Sequence, residues 1–329
     1  MASLNSNRNI TASMRYFSPN APIDSEFGVV SIGERPGDTK ESYKARRHQL
    51  TVSKEVKFVD ARILGLDRYK LNVHGFQFVK SPEALPNWKN KNDVYDIYYE
   101  RLKMLVKKHT GATKAFVFSH LLRPGKSFTS AYAGFAHLDY GPAFETAWRR
   151  LLVARYGLTS EEASTCGLAV VNVWHPIEIP AYKNPLCLLN YESINLKTDA
   201  ISYRYVGNPT LRSRDGSEKV PGKEAVASRG DYKRKNKDER IPAAGVAYNT
   251  LGALFNPNHQ WVYISDQTPD TSIIFKQWDS RENVSRCTFH SSFYDRYHDS
   301  WLDCPKRKSF ESRIMIVYGN NDDLPAPCL

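Results

Sequence analysis

Gly167-Leu168-Ala169-Val170-Val171-Asn172-Val173-Trp174 is apolar for almost its whole length, is rich in valine and meets Pro176 soon after. The run is too short for an ordinary helix, and branched side chains pack well on a pleated surface. It therefore predicts a strongly apolar strand, ended by a proline that has no N–H to give a ladder. Residues 114–120, 186–190, 261–264, 272–276, 286–290 and 309–318 also read as strands. Two further strands are expected at 56–62 and at 74–80, the second alternating and bounded by Ser81-Pro82.

Two helices interrupt the strands. The first is expected from a cap at Asn92 or Asp93 to about Thr110, with Val94, Ile97, Tyr98, Leu102, Leu105 and Val106 on one stripe and Gly111 as the stop. The second opens at Pro142, carries Phe144, Trp148, Leu151, Leu152 and Tyr156 on its apolar side, and ends at Gly157. Many short strands with few helices predict a mainly β fold, an antiparallel barrel or sandwich with flanking helices. No repeat or clean linker divides the 329 residues, so residues 1–329 read as a single domain. Within it, residues 1–12 read as a disordered polar tail and 13–50 as an extended arm with one or two short strands. Residues 205–240, dense in Lys, Arg, Gly and Ser, read as a basic surface insertion or lid.

The formal charge is +11, yet the basic residues are scattered rather than striped and no nucleic-acid motif is present. The expected partner is a small molecule, with anionic substrates favoured by the basic surface and a homodimer left open. Neither a nucleic acid nor a membrane is expected, since no run of about 18 apolar residues exists. Five cysteines without regular spacing and without a secretory leader read as reduced thiols in the cytoplasm.

His137-Leu138-Asp139 carries the chemistry. Side chains two apart on a strand point the same way, so an imidazole and a carboxylate would share one space. His290, in a later strand-like stretch, would complete a 2-His-1-carboxylate face that leaves coordination positions open and suits non-haem Fe(II). Arg307 and Ser309, also two apart, could hold a carboxylate on the same side. An H-x-D triplet alone arises by chance; the ordered set H-x-D, late His, R-x-S much less so. Tyr140, Trp174 and Trp278 are candidates for a pocket wall, with ordinary core packing as the competing account.

These residues fall within a longer set: HTGA (109–112), HLD (137–139), NVWHPI (172–177), FNPNHQWVYISDQTPDTSIIFKQWDS (255–280), FHSSFYD (289–295) and RKSFESR (307–313). In this order, over roughly residues 70–318, the chain resembles a group of iron(II)/2-oxoglutarate oxygenases found mostly in fungal secondary metabolism. The group includes the AsaB-type hydroxylase/desaturases, the fungal gibberellin desaturase and the bacterial CmcJ-like protein of cephalosporin methoxylation. The resemblance implies a double-stranded β-helix (jelly-roll, cupin-like) core, His137, Asp139 and His290 as iron ligands, and 2-oxoglutarate and O2 as cosubstrates. It places Arg307 and Ser309 on the 2-oxoglutarate carboxylate, with Arg313 either a competing clamp or an ion-pair partner of Glu311. The implied reaction is hydroxylation, desaturation or oxidative cyclisation at an unactivated C–H bond of a secondary metabolite or amino-acid-derived substrate. Three departures stand out: His175 replaces an arginine common in the group's N-V-W-R-P, which makes it a further pocket candidate, Asp295 is followed by Arg296 instead of proline, and the basic stretch 205–240 is longer than usual. A 2-oxoglutarate-independent iron oxidase, a zinc hydrolase and a non-catalytic jelly-roll binding subunit are the competing readings.

Overall fold

A buried peptide group must find a hydrogen-bond partner, and a ladder supplies one for each, which is how apolar runs of this length become strands. The computed structural model describes residues 8–33, 39–85, 87–123, 134–205, 249–298, 301 and 303–320. Its strands are β1 (Ile10–Phe17), β2 (Ile23–Asp24), β3 (Val29–Ile32), β4 (Thr51–Asp60), β5 (Phe76–Lys80), β6 (Lys114–Arg123), β7 (Cys166–Pro176), β8 (Leu186–Leu189), β9 (Ala200–Tyr205), β10 (Asn249–Ala253), β11 (Trp261–Tyr263), β12 (Thr271–Asp279), β13 (His290–Ser292) and β14 (Ser309–Asn320).

They form three sheets, in the orders β5-β12-β7-β14-β6, β1-β4-β11-β8-β13 and β10-β9-β3-β2. The first is antiparallel throughout, with the valine-rich run at its centre as β7 and every residue of β7 buried. The other two curl into each other. Two isolated antiparallel bridges join His137 to Gly252 on one side and to His290 on the other, and Phe17 bridges Leu254. Gly252 is required there: a Cβ on it would lie 2.1 Å from the Phe17 ring.

Alternation along β7 sorts two environments. Val171 and Val173 face outward with Ile274, Phe310, Ile314 and Ile316, against Tyr98, Leu102 and Val106. These last come from a helical run, Lys91–Thr110, whose stretch Val94–Tyr98 is a π turn; its cap is Asn90, two residues earlier than expected, and Gly111 ends it in the left-handed region at φ 73. On the inner face Leu168 and Val170 pack with Met315 and Val317 against Phe144, Trp148 and Leu152. That second helix is Glu145–Tyr156, entered through a 3-10 turn at Pro142–Phe144. Further along, the inner face turns polar at Asn172 on β7, at Arg313 opposite it on β14, and at Glu311, which accepts from the Asn172 amide.

Four expectations need correction. Residues 10–12 are not a frayed tail: Ile10 pairs Phe58 and Ala12 pairs Val56 in β1, and Arg8 pairs with Asp266 (3.2 Å) and Asp295 (2.8 Å). The expected arm also holds a helix, Lys40–Leu50, started by a reciprocal cap between Thr39 and Ser42. Residues 286–289 form no regular strand, because Thr288 N–H binds Lys276 O (2.8 Å) and its hydroxyl binds Gly75 O (2.6 Å) across a bulge in β12. Residues 136–138 are extended but stitched by isolated bridges rather than a full ladder. The basic stretch at 205–240 lies outside the described residues from 206 onward. Among the described residues no helix is long and apolar enough to cross a membrane.

Candidate metal centre

His137 and His290 are 153 positions apart in sequence, yet their main chains exchange both hydrogen bonds, His137 N to His290 O at 3.2 Å and His290 N to His137 O at 3.0 Å. A bonded antiparallel pair puts both side chains on one side of the ladder. Their ring centroids are 4.5 Å apart. His137 Nδ1 lies 2.9 Å from Phe135 O, and His290 Nδ1 lies 3.4 Å from Thr288 O. A carbonyl only accepts, so each Nδ1 carries a hydrogen, and in the neutral ring Nε2 is the nitrogen left to bind a metal. Both Nε2 atoms face the same oxygen, Asp139 Oδ1, at 3.5 Å from His137 and 3.9 Å from His290.

Burial first, and then the neighbouring His137, push His290 down to about 4, so it is neutral at pH 7. Burial alone would raise the Asp139 carboxyl. The Arg313 guanidinium outweighs it and holds the group well below the usual carboxylate range. Two imidazole nitrogens and a carboxylate oxygen thus converge on one space, the donor set that a divalent cation takes. Among the described residues, His137, Asp139 and His290 are the one group of three whose ligand atoms lie within 4.8 Å of one another. The donor set of two imidazoles and a carboxylate fits Fe(II) or another divalent ion with positions to spare.

Asp139 divides its oxygens. Oδ1 faces the imidazoles; Oδ2 accepts from Arg313 Nε (3.0 Å), Arg313 Nη2 (2.9 Å) and Asn172 Nδ2 (3.2 Å). The pairing continues from Arg313 to Glu311 (3.2 Å) and from Glu311 to Arg123 (3.1 Å). Arg313, expected as either clamp or ion-pair partner, is held by both carboxylates.

Arg307 is buried at the entry to β14, with its guanidinium 5.3 Å from the centre of the Trp174 ring and one nitrogen on Asn184 O. Ser309 is buried two residues on, and its hydroxyl has no hydrogen-bond partner among the described residues.

The wall candidates separate. Trp174 lies on the inner face beside Arg307, and Tyr140, next to Asp139, packs against Phe118, Phe144 and Trp148. Trp278 is not at the triad: it bonds Glu145 on the second helix (3.2 Å) and lies under Arg286. His175 is a clear correction. It is on the outer face of β7, with Nε2 2.7 Å from Tyr98 OH and its ring stacked on Phe310, so it cannot line a pocket on the other side.

Three residues beside the triad were not singled out from sequence: Asn172, Gln277 and Phe275. Gln277 Oε1 accepts from Asp139 N at 2.8 Å, and the Phe275 ring lies 4.9 Å from His290. An amide inside VVNVW and another inside IIFKQW were the available signals, since a polar side chain within a buried run needs a partner.

A family model described as oxidoreductase/YMDC permease-like domain matches residues 14–220 and 217–317. A hydroxylase/desaturase of Hormonema carpetanum is 23% identical over 276 residues, covering 77% of this chain and 80% of that protein. An Fe(II)/2-oxoglutarate-dependent dioxygenase of Aspergillus novofumigatus is 23% identical over 314 residues, covering 93% and 96%. Among solved structures, an iron and alpha-ketoglutarate-dependent endoperoxidase superposes with TM-score 0.68 at 20% identity, over 96% of this chain and 100% of that one, a likeness of fold.

Proposed function

We propose, from the premise that the chain belongs to the oxidoreductase/YMDC permease-like domain family, that it is a non-haem Fe(II)/2-oxoglutarate-dependent oxygenase. Its substrate would be a secondary metabolite or an amino-acid-derived small molecule, oxidised at an unactivated C–H bond. The observation that carries this reading is the convergence of His137, Asp139 and His290 ligand atoms within 4.8 Å. When bound, Fe(II) with 2-oxoglutarate and O2 supplies an oxidant strong enough to take hydrogen from carbon, with succinate and CO2 as coproducts. The chain's own work is to hold, aim and exclude. Backbone pairing fixes the two imidazoles, and Arg313 with Asn172 keeps Asp139 turned to present one oxygen. The Phe135 ring, 5.2 Å from His137, and the Phe275 ring, 4.9 Å from His290, keep water from those sides of the imidazoles.

In this reading Arg307 and Ser309 take the distal carboxylate of 2-oxoglutarate. The unsatisfied Ser309 hydroxyl, buried two residues along the strand from the buried Arg307, supports that assignment. Arg313, already committed to Asp139 and Glu311, serves the metal side instead. The curled sheets correspond to a double-stranded β-helix core in one domain. The unlinked thiols of Cys166, Cys187, Cys287 and Cys304 suit the cytoplasm.

The test is anaerobic reconstitution. Fe(II) and 2-oxoglutarate together should give the visible absorption of a chelated 2-oxo acid, and O2 should then release succinate. Zn(II) should support neither. A protein that binds Fe(II) but develops no such absorption, and forms no succinate with any metabolite tried, would end the proposal.

A further inference from the structure

We infer that Gln277 is a cosubstrate-binding residue, its side-chain amide donating to the metal-proximal carboxylate of the bound 2-oxo acid; this rests on the function proposed above. Gln277 lies at the bulge in β12, where the register against β7 shifts between Lys276 and Trp278. It is fully buried. Its Oε1 accepts the backbone N–H of the candidate ligand Asp139 at 2.8 Å. That bond fixes the amide's orientation, because a flipped amide would set NH2 against N–H. The Nε2 group is therefore the end left over, and it has no hydrogen-bond partner among the described residues.

A buried donor without an acceptor is costly, and proteins keep few of them. This one is a single hydrogen bond away from the candidate metal ligand. The charges around it say what it awaits. Asp139 and Glu311 are balanced by Arg313 and Arg123. The cluster is thus neutral before any metal arrives, and a divalent cation needs anionic oxygens from elsewhere. Arg307 and Ser309 stand at the entry to β14 for one end of a dicarboxylate. The other end must chelate the metal, and there the free amide hydrogens of Gln277 match a carboxylate oxygen. A donor held by the same backbone atom that positions the ligand would bring cosubstrate and metal into one alignment.

Gln277→Glu keeps an acceptor for Asp139 N and removes the donor; Gln277→Met removes both. Each is compared with the unaltered protein in two titrations: Co(II) alone, followed by its d–d absorption, and 2-oxoglutarate into the anaerobic Fe(II) protein, followed by its charge-transfer absorption. Gln277→Glu should keep its Co(II) affinity within about threefold and weaken 2-oxoglutarate binding by about ten- to a hundredfold, a range set by one hydrogen bond to a charged group. Gln277→Met should weaken it by less, since it places no second carboxylate against the first. Unchanged 2-oxoglutarate affinity in both variants would overturn the inference, as would a parallel loss of Co(II), which would make Gln277 a support for Asp139 only. If the unaltered protein develops no charge-transfer absorption, the proposed function itself falls, and this inference with it. Should neither variant fold, a structure of the unaltered protein with Mn(II) and 2-oxoglutarate decides. Nε2 within about 3.2 Å of a cosubstrate oxygen upholds the assignment; Nε2 bonded to Asn172 or to a water instead overturns it.

Discussion

The sheet centred on β7 covers a buried histidine on each side, His175 of β7 itself outside and His290 of β13, against Phe275, inside, and the two are electrostatically alike. Burial first of all pushes both His175 and His290 down to about 4, so both are neutral at pH 7. They differ in what meets Nε2. On the outer face His175 Nε2 lies 2.7 Å from Tyr98 OH and Nδ1 lies 2.9 Å from Pro176 O, so both nitrogens are used. On the inner side His290 Nε2 faces a carboxylate oxygen that a second imidazole also faces. A depressed histidine is therefore no marker of a site; an imidazole nitrogen turned on an anion is.

Removing the inner-side ligands should have the largest effect. His137→Ala or His290→Ala should abolish 2-oxoglutarate-dependent turnover and Fe(II) binding, exceeding the roughly 10- to 100-fold that loss of a ligand's partner costs. Metal titration and succinate release would check this, and turnover surviving in either variant would break the comparison. Arg313→Met comes next. It strands Asp139 as a buried anion while Glu311 keeps Arg123, so it should cost about 3–5 kcal/mol of stability and about 10- to 100-fold in metal affinity. Thermal unfolding beside a metal titration separates the two effects. Gly252→Ala follows, because its new methyl would meet the Phe17 ring at 2.1 Å behind the His137 bridge. About 1–3 kcal/mol of destabilisation is expected, with weakened metal binding if the bridge shifts. The smallest change is Tyr98→Phe on the outer face: about 1–2 kcal/mol from the stranded His175 nitrogen, and no change in the Fe(II)–2-oxoglutarate absorption.

Acid sharpens the same contrast. His120, His175 and His290 titrate near 4 when folded, against an ordinary 6.5, so between those values the unfolded chain binds more protons. Their contribution is complete above pH 6.5 and fades as the pH falls toward 4. His175→Phe should flatten that slope without touching metal binding, as urea unfolding at stepped pH would reveal.

Much of this was readable from residue order. The apolar run at 167–174 sits at the centre of the five-stranded sheet, and both expected helices formed with their glycine stops. His137, Asp139 and His290 were singled out, and the chain brings them together. What stayed hidden depended on pairing between distant segments. Ile10 to Tyr16 alternates cleanly, but its polar members hid an edge strand until β4 lay beside it. Nothing local marks the bulge that places Gln277, and the face His175 occupies follows only once β7 is registered against β14. The helix at Lys40–Leu50 has a cap but little apolar stripe, so its start signal alone did not reveal it.

The reciprocal peptide bonds between His137 and His290 carry one more consequence. The gap between the two imidazoles is inherited from the spacing of paired backbones, which no side chain sets. Residues around the triad are thus at liberty to drift as new substrates are met, while the seat for the ion keeps its dimensions.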